Sequence, residues 1–103
     1  LVPLTNERKW ASGTTTVTDS LRLTVNGLPF TPKIIVAKST YLSNGIAAYF
    51  VDWQKGIVPR ADGSYANYYD LCTFSSDGFS VLVGSNPSGN IYGTYTIDWI
   101  AIG

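Results

Sequence analysis

The sequence predicts an all-β domain, an antiparallel β-sandwich of six to seven strands. Aromatic residues make up 14% of the 103 positions, with 10 Gly and 5 Pro. Thr, Val, Ile and Tyr fill the stretches between Gly and Asn breaks, a strand-and-turn composition. Short apolar runs recur at the spacing of sandwich strands, and no stretch carries a helical signal.

Each element has its own signal. Residues 14–18 and 21–25 alternate, with Leu21, Leu23 and Val25 on one face and Arg22 and Thr24 on the other. Asn26-Gly27 then marks a turn. Residues 33–39 read as the next strand, and Pro29 and Pro32 keep its approach extended and out of helix. Residues 45–54 read as a third, joined to it as a hairpin through Asn44-Gly45. Residues 55–67 look like a loop. Strands over 68–74, 79–83 and 92–102 complete the set, separated by Ser75-Ser76-Asp77-Gly78 and by Ser85-Asn86-Pro87-Ser88-Gly89-Asn90. Gly63 and Gly84 read as turn or bulge positions.

Length and composition bound the rest. A chain of 103 residues is one domain, able to bury about 65% of its unfolded surface. Charged residues are 14%, against a usual share of about 25%. Seven Lys and Arg offset seven Asp and Glu, so no basic field exists for a phosphate backbone and nucleic acid is not an expected partner. With no His, serine triads and histidine-bound metals are excluded. The lone Cys72 forbids an internal disulfide, and in Leu71-Cys72-Thr73-Phe74 it reads as a small buried hydrophobe. Pro87 blocks the one glycosylation-like triplet, Asn86-Pro87-Ser88. No apolar run approaches a membrane helix of about 20 residues, so membrane insertion is not expected. The chain has no Met, and we expect a piece of a longer protein: residues 1–9 as a connector, 10–103 as the sandwich.

Three strands are apolar on both faces: Ile34-Ile35-Val36-Ala37, Ile46-Ala47-Ala48-Tyr49-Phe50-Val51 and Trp99-Ile100-Ala101-Ile102. A sandwich strand has one inner face, so something must cover the other. A loop or the N-terminal ten residues would serve for one run. Three runs together, with the low charge, point to a partner subunit, because obligate interfaces resemble a core cut in half.

Val25-Asn26-Gly27-Leu28-Pro29-Phe30-Thr31-Pro32-Lys33-Ile34-Ile35-Val36 resembles a "V-x-G-L-x-F-x-P-K-x-I-V" stretch of phage and prophage tail-fibre and receptor-binding tip domains of Gram-positive bacteria. The ending Tyr95-Thr96-Ile97-Asp98-Trp99-Ile100-Ala101-Ile102-Gly103 resembles their "W-I-A-I/V-G" terminus and is similar to the closing strand of H-type lectins. Trp10-Ala11-Ser12-Gly13 extends the likeness to the N-terminal strand; the middle, residues 51–67, has no counterpart in it. The resemblance implies an H-type-lectin-like sandwich assembled as a homotrimer, with sugar bound near subunit junctions. It also implies a place at the distal tail or baseplate of a virion, acting at the bacterial cell surface.

Seven residues are the candidate ligand-binding set: Trp53, Arg60, Asp62, Tyr65, Tyr68, Tyr69 and Asp70. Sugar CH faces stack on rings, while Asp and Arg hold hydroxyls by directed hydrogen bonds, so a surface glycan of the cell wall is the expected ligand. The plainer alternatives are that Tyr68 and Tyr69 cap the sandwich, that Trp53 packs, and that Arg60 and Asp62 belong to a solvated turn at Pro59-Arg60-Ala61-Asp62-Gly63. Trp10 and Trp99 read as core or interface rings. Asp98, between Ile97 and Trp99, is either exposed or paired with Arg22, Lys33 or Arg60, because a lone buried carboxylate is costly. A glycosidase would need two carboxylates about 5–10 Å apart across a cleft, and a sandwich this small has little volume for one. No clustered Asp-x-Asp-x-Asp loop marks a calcium site. The expectation is a receptor-binding domain that attaches a phage particle to cell-surface glycan, with no catalytic residues, cofactor or metal; the alternatives are a structural trimerisation or capping domain without its own ligand and a free bacterial H-type-like lectin.

Overall fold

The computed structural model describes residues 9–42 and 45–103. Among them run nine strands: β1 (Trp10–Thr18), β2 (Arg22–Val25), β3 (Ile34–Ser39), β4 (Ala47–Phe50), β5 (Lys55–Pro59), β6 (Tyr65–Ala66), β7 (Thr73–Phe74), β8 (Phe79–Leu82) and β9 (Thr94–Ile102), with a 3-10 helix at Tyr69–Leu71. They form a six-stranded sheet in the order β1-β9-β3-β4-β5-β6 and a three-stranded sheet β2-β8-β7. Every strand pair is antiparallel, and a single parallel bridge, Arg60 to Ser85, ties the ends together. The fold is all-β and sandwich-like. Its count exceeds six to seven because two-residue strands and an unforeseen hairpin also pair.

The core lies between the sheets. Ile35 and Ala37 of β3, Ala47 and Tyr49 of β4, Val58 of β5, and Ile97 and Ala101 of β9 face Leu23, Phe79 and Val81 of the small sheet, with Leu21 and Val83 closing the flank. Burying each large aliphatic side chain contributes about 1.5–3 kcal/mol. The predicted alternation holds at Leu21 and Leu23, both buried, while Val25 is half-buried. Arg22 lies on the opposite face, as the alternation predicts, beside Thr24 and Ser80. It lies half-buried across the small sheet and donates to the Leu71 carbonyl at 2.8 Å and to the Ser80 carbonyl and hydroxyl at 3.3 Å.

Several expected boundaries are corrected. Residues 55–67 are not a loop: β5 and β6 form a hairpin continuing the large sheet. Gly56 reads as a breaker but is required inside the strand, because a Cβ there would lie 2.6 Å from the Tyr49 ring. Residues 68–74 are not one strand but a 3-10 helix followed by the short β7. The Asn67 side-chain oxygen accepts the N–H of Gly56 at 3.2 Å and of Tyr69 at 3.0 Å, ending β6 and starting the helical turn, as an Asx turn does. The strand expected over 45–54 stops at Phe50, where a turn carrying Gln54 at φ 53° leads into β5. β1 begins earlier than expected, at Trp10, and β9 later, at Thr94. β3 and β4 pair as predicted; Asn44 of the proposed hairpin turn, like residues 1–8 of the proposed connector, lies outside the described residues. Gly84 is buried against Leu21, a packing position.

The outer face of the large sheet is divided between apolar and polar rows. By register, one row across it runs Trp10, Ile102, Ile34, Phe50 and ends on Lys55, and the next runs Ser12, Ile100, Val36, Ala48, Ile57. Beyond them the face turns polar, with Thr14, Asp98 and Lys38 in one row, then Thr16 beside Thr96 and Thr18 beside Thr94. The apolar second faces read from the sequence are therefore real, and they adjoin one another. Trp99 points inward instead, edge-on to Phe79 at 5.8 Å and against Gly13. Asp98 is exposed although β9 is an interior strand, and it accepts the Thr14 hydroxyl at 2.8 Å, not a cation.

Candidate functional site

The β5–β6 hairpin turns through Arg60-Ala61-Asp62-Gly63-Ser64. Gly63 takes φ 88°, a left-handed conformation that suits glycine, and donates its N–H to the Arg60 carbonyl at 3.0 Å. The Asp62 carboxylate accepts the Ser64 N–H at 2.9 Å and the Ser64 hydroxyl at 2.6 Å. Those two donors hold its carboxyl below the usual carboxylate range, with the Arg60 charge adding to the effect. Arg60 N–H donates to the Ser64 carbonyl and Ala61 N–H to the Ser85 carbonyl, each at 2.8 Å. The turn is thus held by hydrogen bonds of its own and by one to Ser85.

Beside this turn opens a pocket of about 300 Å³, with walls that include Tyr41, Pro59, Arg60, Ser64 and Tyr65. Tyr65 is 52% exposed and stands at the mouth. Tyr41 is braced edge-on against Tyr95, with ring centroids 5.0 Å apart. The Arg60 guanidinium lies 5.8 Å from the Tyr68 ring centre, within cation–π range. The Tyr68 hydroxyl is 3.4 Å from the Ser85 hydroxyl, and this contact, followed by Arg60, lowers its pKa from the usual tyrosine value.

The structure brings together four of the seven candidate residues. Arg60 and Tyr65 line the pocket, Asp62 shapes its turn, and Tyr68 lies behind Arg60. Trp53 is elsewhere. It sits in the β4–β5 turn, and the five residues of β5 separate it from Arg60 by roughly 17 Å of strand. There it is 70% exposed and stacks on Phe50 at 5.0 Å, near the exposed ion pair of Lys33 and Asp52 at 3.6 Å. Tyr69 stacks on Phe74 at 4.9 Å and donates to the Val51 carbonyl at 3.2 Å, a packing role. Asp70 is exposed on the 3-10 helix. Cys72 is half-buried, with its thiol 3.4 Å from the Tyr68 carbonyl.

Two residues with polar side chains in the pocket wall, Tyr41 and Ser64, were not read from the sequence. Ser64 looks like turn filler, and Tyr41 stands 19 positions before Arg60 without a motif; only the β3–β4–β5 order brings it alongside. Among the described residues no three His, Cys, Asp or Glu side chains gather as a metal site, and no helix is long and apolar enough to cross a membrane. Compared with protein-family models, curated proteins and solved structures, the chain matches none. The site sets exposed and half-buried rings around a guanidinium, on a hydrogen-bonded turn.

Proposed function

We propose that this chain is an H-type-lectin-like receptor-binding domain of a phage or prophage tail fibre, which attaches the particle to bacterial cell-surface glycan as a homotrimer. The observation that carries the reading is the pocket at the β5–β6 turn, where Tyr65, Tyr41 and Arg60 offer ring faces and hydrogen-bond donors on one side of the sandwich end. Such a site suits a sugar, whose CH face stacks while its hydroxyls are held. The resemblance of residues 25–36 and 95–103 to tail-fibre tip domains supplies the particle, and the open apolar rows supply a surface for subunits. The domain binds without hydrolysing.

A shallow sugar site is weak alone, and three on one tip become firm through effective concentration. Losing the Tyr65 ring removes about 1 kcal/mol of stacking per site. Across three sites that amounts to roughly a hundredfold in wall binding. Sedimentation with purified Gram-positive cell wall tests this. Tyr65→Ala should fall by that order with its melting temperature unchanged, because the ring stands outside the core, whereas Trp53→Ala should bind as the parent does. The second reading, a trimerisation or capping module with no ligand, is favoured by the apolar face alone, and it predicts no wall binding by any variant. Sugar released from the wall by the parent would overturn the binding-only assignment.

A further inference from the structure

Arg60 is half-buried, yet among the described residues no carboxylate lies within ion-pair distance of it. The nearest candidate, Asp62, directs one carboxylate oxygen to both donors of Ser64. The Arg60 Nε is enclosed and has no hydrogen-bond partner. The Tyr68 ring lies 5.8 Å from this guanidinium and Asp62 adds its charge from the turn, yet no carboxylate among the described residues pairs with it, so its terminal nitrogens are left to pair with an anion that a ligand brings.

The other groups in the pocket lean the same way. Neither the Tyr41 nor the Tyr65 hydroxyl is hydrogen-bonded to the described residues. Four carbonyls nearby already accept an N–H each: Arg60 from Gly63, Ser64 from Arg60, Pro59 from Ser85, and Leu42 from Gly45. A guanidinium that can only donate, beside two phenols that can donate, favours a ligand rich in acceptors. The backbone N–H groups of Arg60, Gly63 and Ser64 are engaged within the turn and that of Ala61 by the Ser85 carbonyl, so an anion here would be held by side chains: the terminal nitrogens of Arg60, with the two phenols as neutral donors.

We infer that the pocket lined by Arg60, Tyr41 and Tyr65 recognises an oxyanion borne by a glycan, either the carboxylate of an acidic sugar or the phosphodiester of a phosphate-linked polymer. This rests on the glycan-binding reading and narrows it to acidic ligands. A planar guanidinium pairs with both oxyanions through two parallel N–H donors. An adjoining ring stacks on the sugar and distinguishes it from a free ion.

Titration of the full chain, followed by backbone amide NMR shifts, tests this with three probes: a tetragalacturonate, its carboxyl-reduced neutral counterpart, and a short glycerol-phosphate oligomer. The expected result is saturable shifts at Gly63, Ser64 and Tyr65 with one or both acidic probes, and affinity for the neutral probe at least tenfold lower, since a hydrogen bond to a charged group is worth about one to two decades. Which acidic probe binds tells carboxylate from phosphodiester. Arg60→Gln should lose at least tenfold for the acidic probe, and Arg60→Lys should recover part of it. Should Arg60→Gln fail to fold, the wild-type comparison of acidic with neutral probe still decides. Equal binding of the neutral and acidic probes overturns the inference while leaving a sugar site. If no probe shifts these amides although the parent still sediments with cell wall and Tyr65→Ala does not, the oxyanion inference falls and the glycan reading stands. If wall binding is absent too, both fall.

Discussion

Tyr49 is where the two sheets are hydrogen-bonded through a side chain. It is fully buried, and its hydroxyl donates to the Leu82 carbonyl across the core at 2.6 Å. Burial pushes its phenol well above the ordinary tyrosine value, with the neighbouring Cys72 thiol acting in the same direction and the Arg22 charge opposing them. The folded chain therefore holds that proton more tightly than the unfolded chain does. The resulting stability is complete below the unfolded tyrosine pKa of about 10 and declines as pH rises above it, by up to about 1.4 kcal/mol per pH unit for one proton. Tyr49→Phe should destabilise the protein by about 1–3 kcal/mol at pH 7, because it leaves the Leu82 carbonyl without this donor. The gap between parent and variant should then close above about pH 10. Urea denaturation at pH 7, 9 and 10.5 measures both effects, and parallel curves at all three pH values would show that the phenol is not held neutral by the fold. Gly56 belongs to the same arrangement: a methyl at that position would meet the ring, so the glycine and the tyrosine are one packing unit.

β9 organises the large sheet at the level of elements, since it pairs with β1 along nine residues and with β3 along six. Ending the chain after Asp98 would remove Trp99 and Ala101 from the inner face and strip partners from the N-terminal half of β1 and from β3 together. Apolar loss of about 1.5–3 kcal/mol for the large ring adds to orphaned backbone groups at about 1–3 kcal/mol each where they are buried. Against a total stability of about 5–15 kcal/mol, the truncated chain should show no cooperative melt by circular dichroism; a melt like the parent's would show β9 to be dispensable. The strands that were legible in the sequence are those with period-two apolar spacing or strong β-branched content, such as β2, β3, β8 and β9. The β5–β6 hairpin was not, because Lys55, Gly56 and Pro59 all read as breakers, whereas the fold needs Gly56 for the Tyr49 ring and places Pro59 at the strand end. Tyr68 to Phe74 failed the opposite way: Tyr-Tyr and Thr-Phe have strand propensity, and the Asn67 side chain overrides it by holding Gly56 and Tyr69 at once. The same distinction governs the site. Arg60, Asp62 and Tyr65 are close in sequence and meet in space, whereas Trp53 is equally close and is carried away by the length of β5. Tyr41 joins through sheet order, which no local pattern encodes.

For the whole molecule, the decisive feature is the outer face of the large sheet. Trp10, Ile34, Ile100, Ile102, Val36, Ala48, Phe50 and Ile57 adjoin by register across five strands, and Ile100 and Ile102 are each 38% exposed in the single chain. Monomers seldom leave a continuous apolar surface of this kind open, and obligate assemblies regularly bury one. The threonine rows at the far end of the same sheet are suited to remain in water, so a contact should use the Ile102 end of β9 and not the whole face. Sedimentation velocity at micromolar concentration should give a particle of three times the 11.2 kDa chain mass. Ile100→Lys should yield a folded monomer: its side chain points away from the core, so the charge disrupts association while the interior stays packed. The proposed function adds a consequence, because wall binding of that monomer should weaken far more than its affinity for a soluble monovalent glycan, avidity being lost while each pocket remains. A parent protein that sediments at 11.2 kDa would rule out the trimer. If removing residues 1–8 from that monomer then caused it to associate, the cover of this face would be the chain's own N-terminal segment.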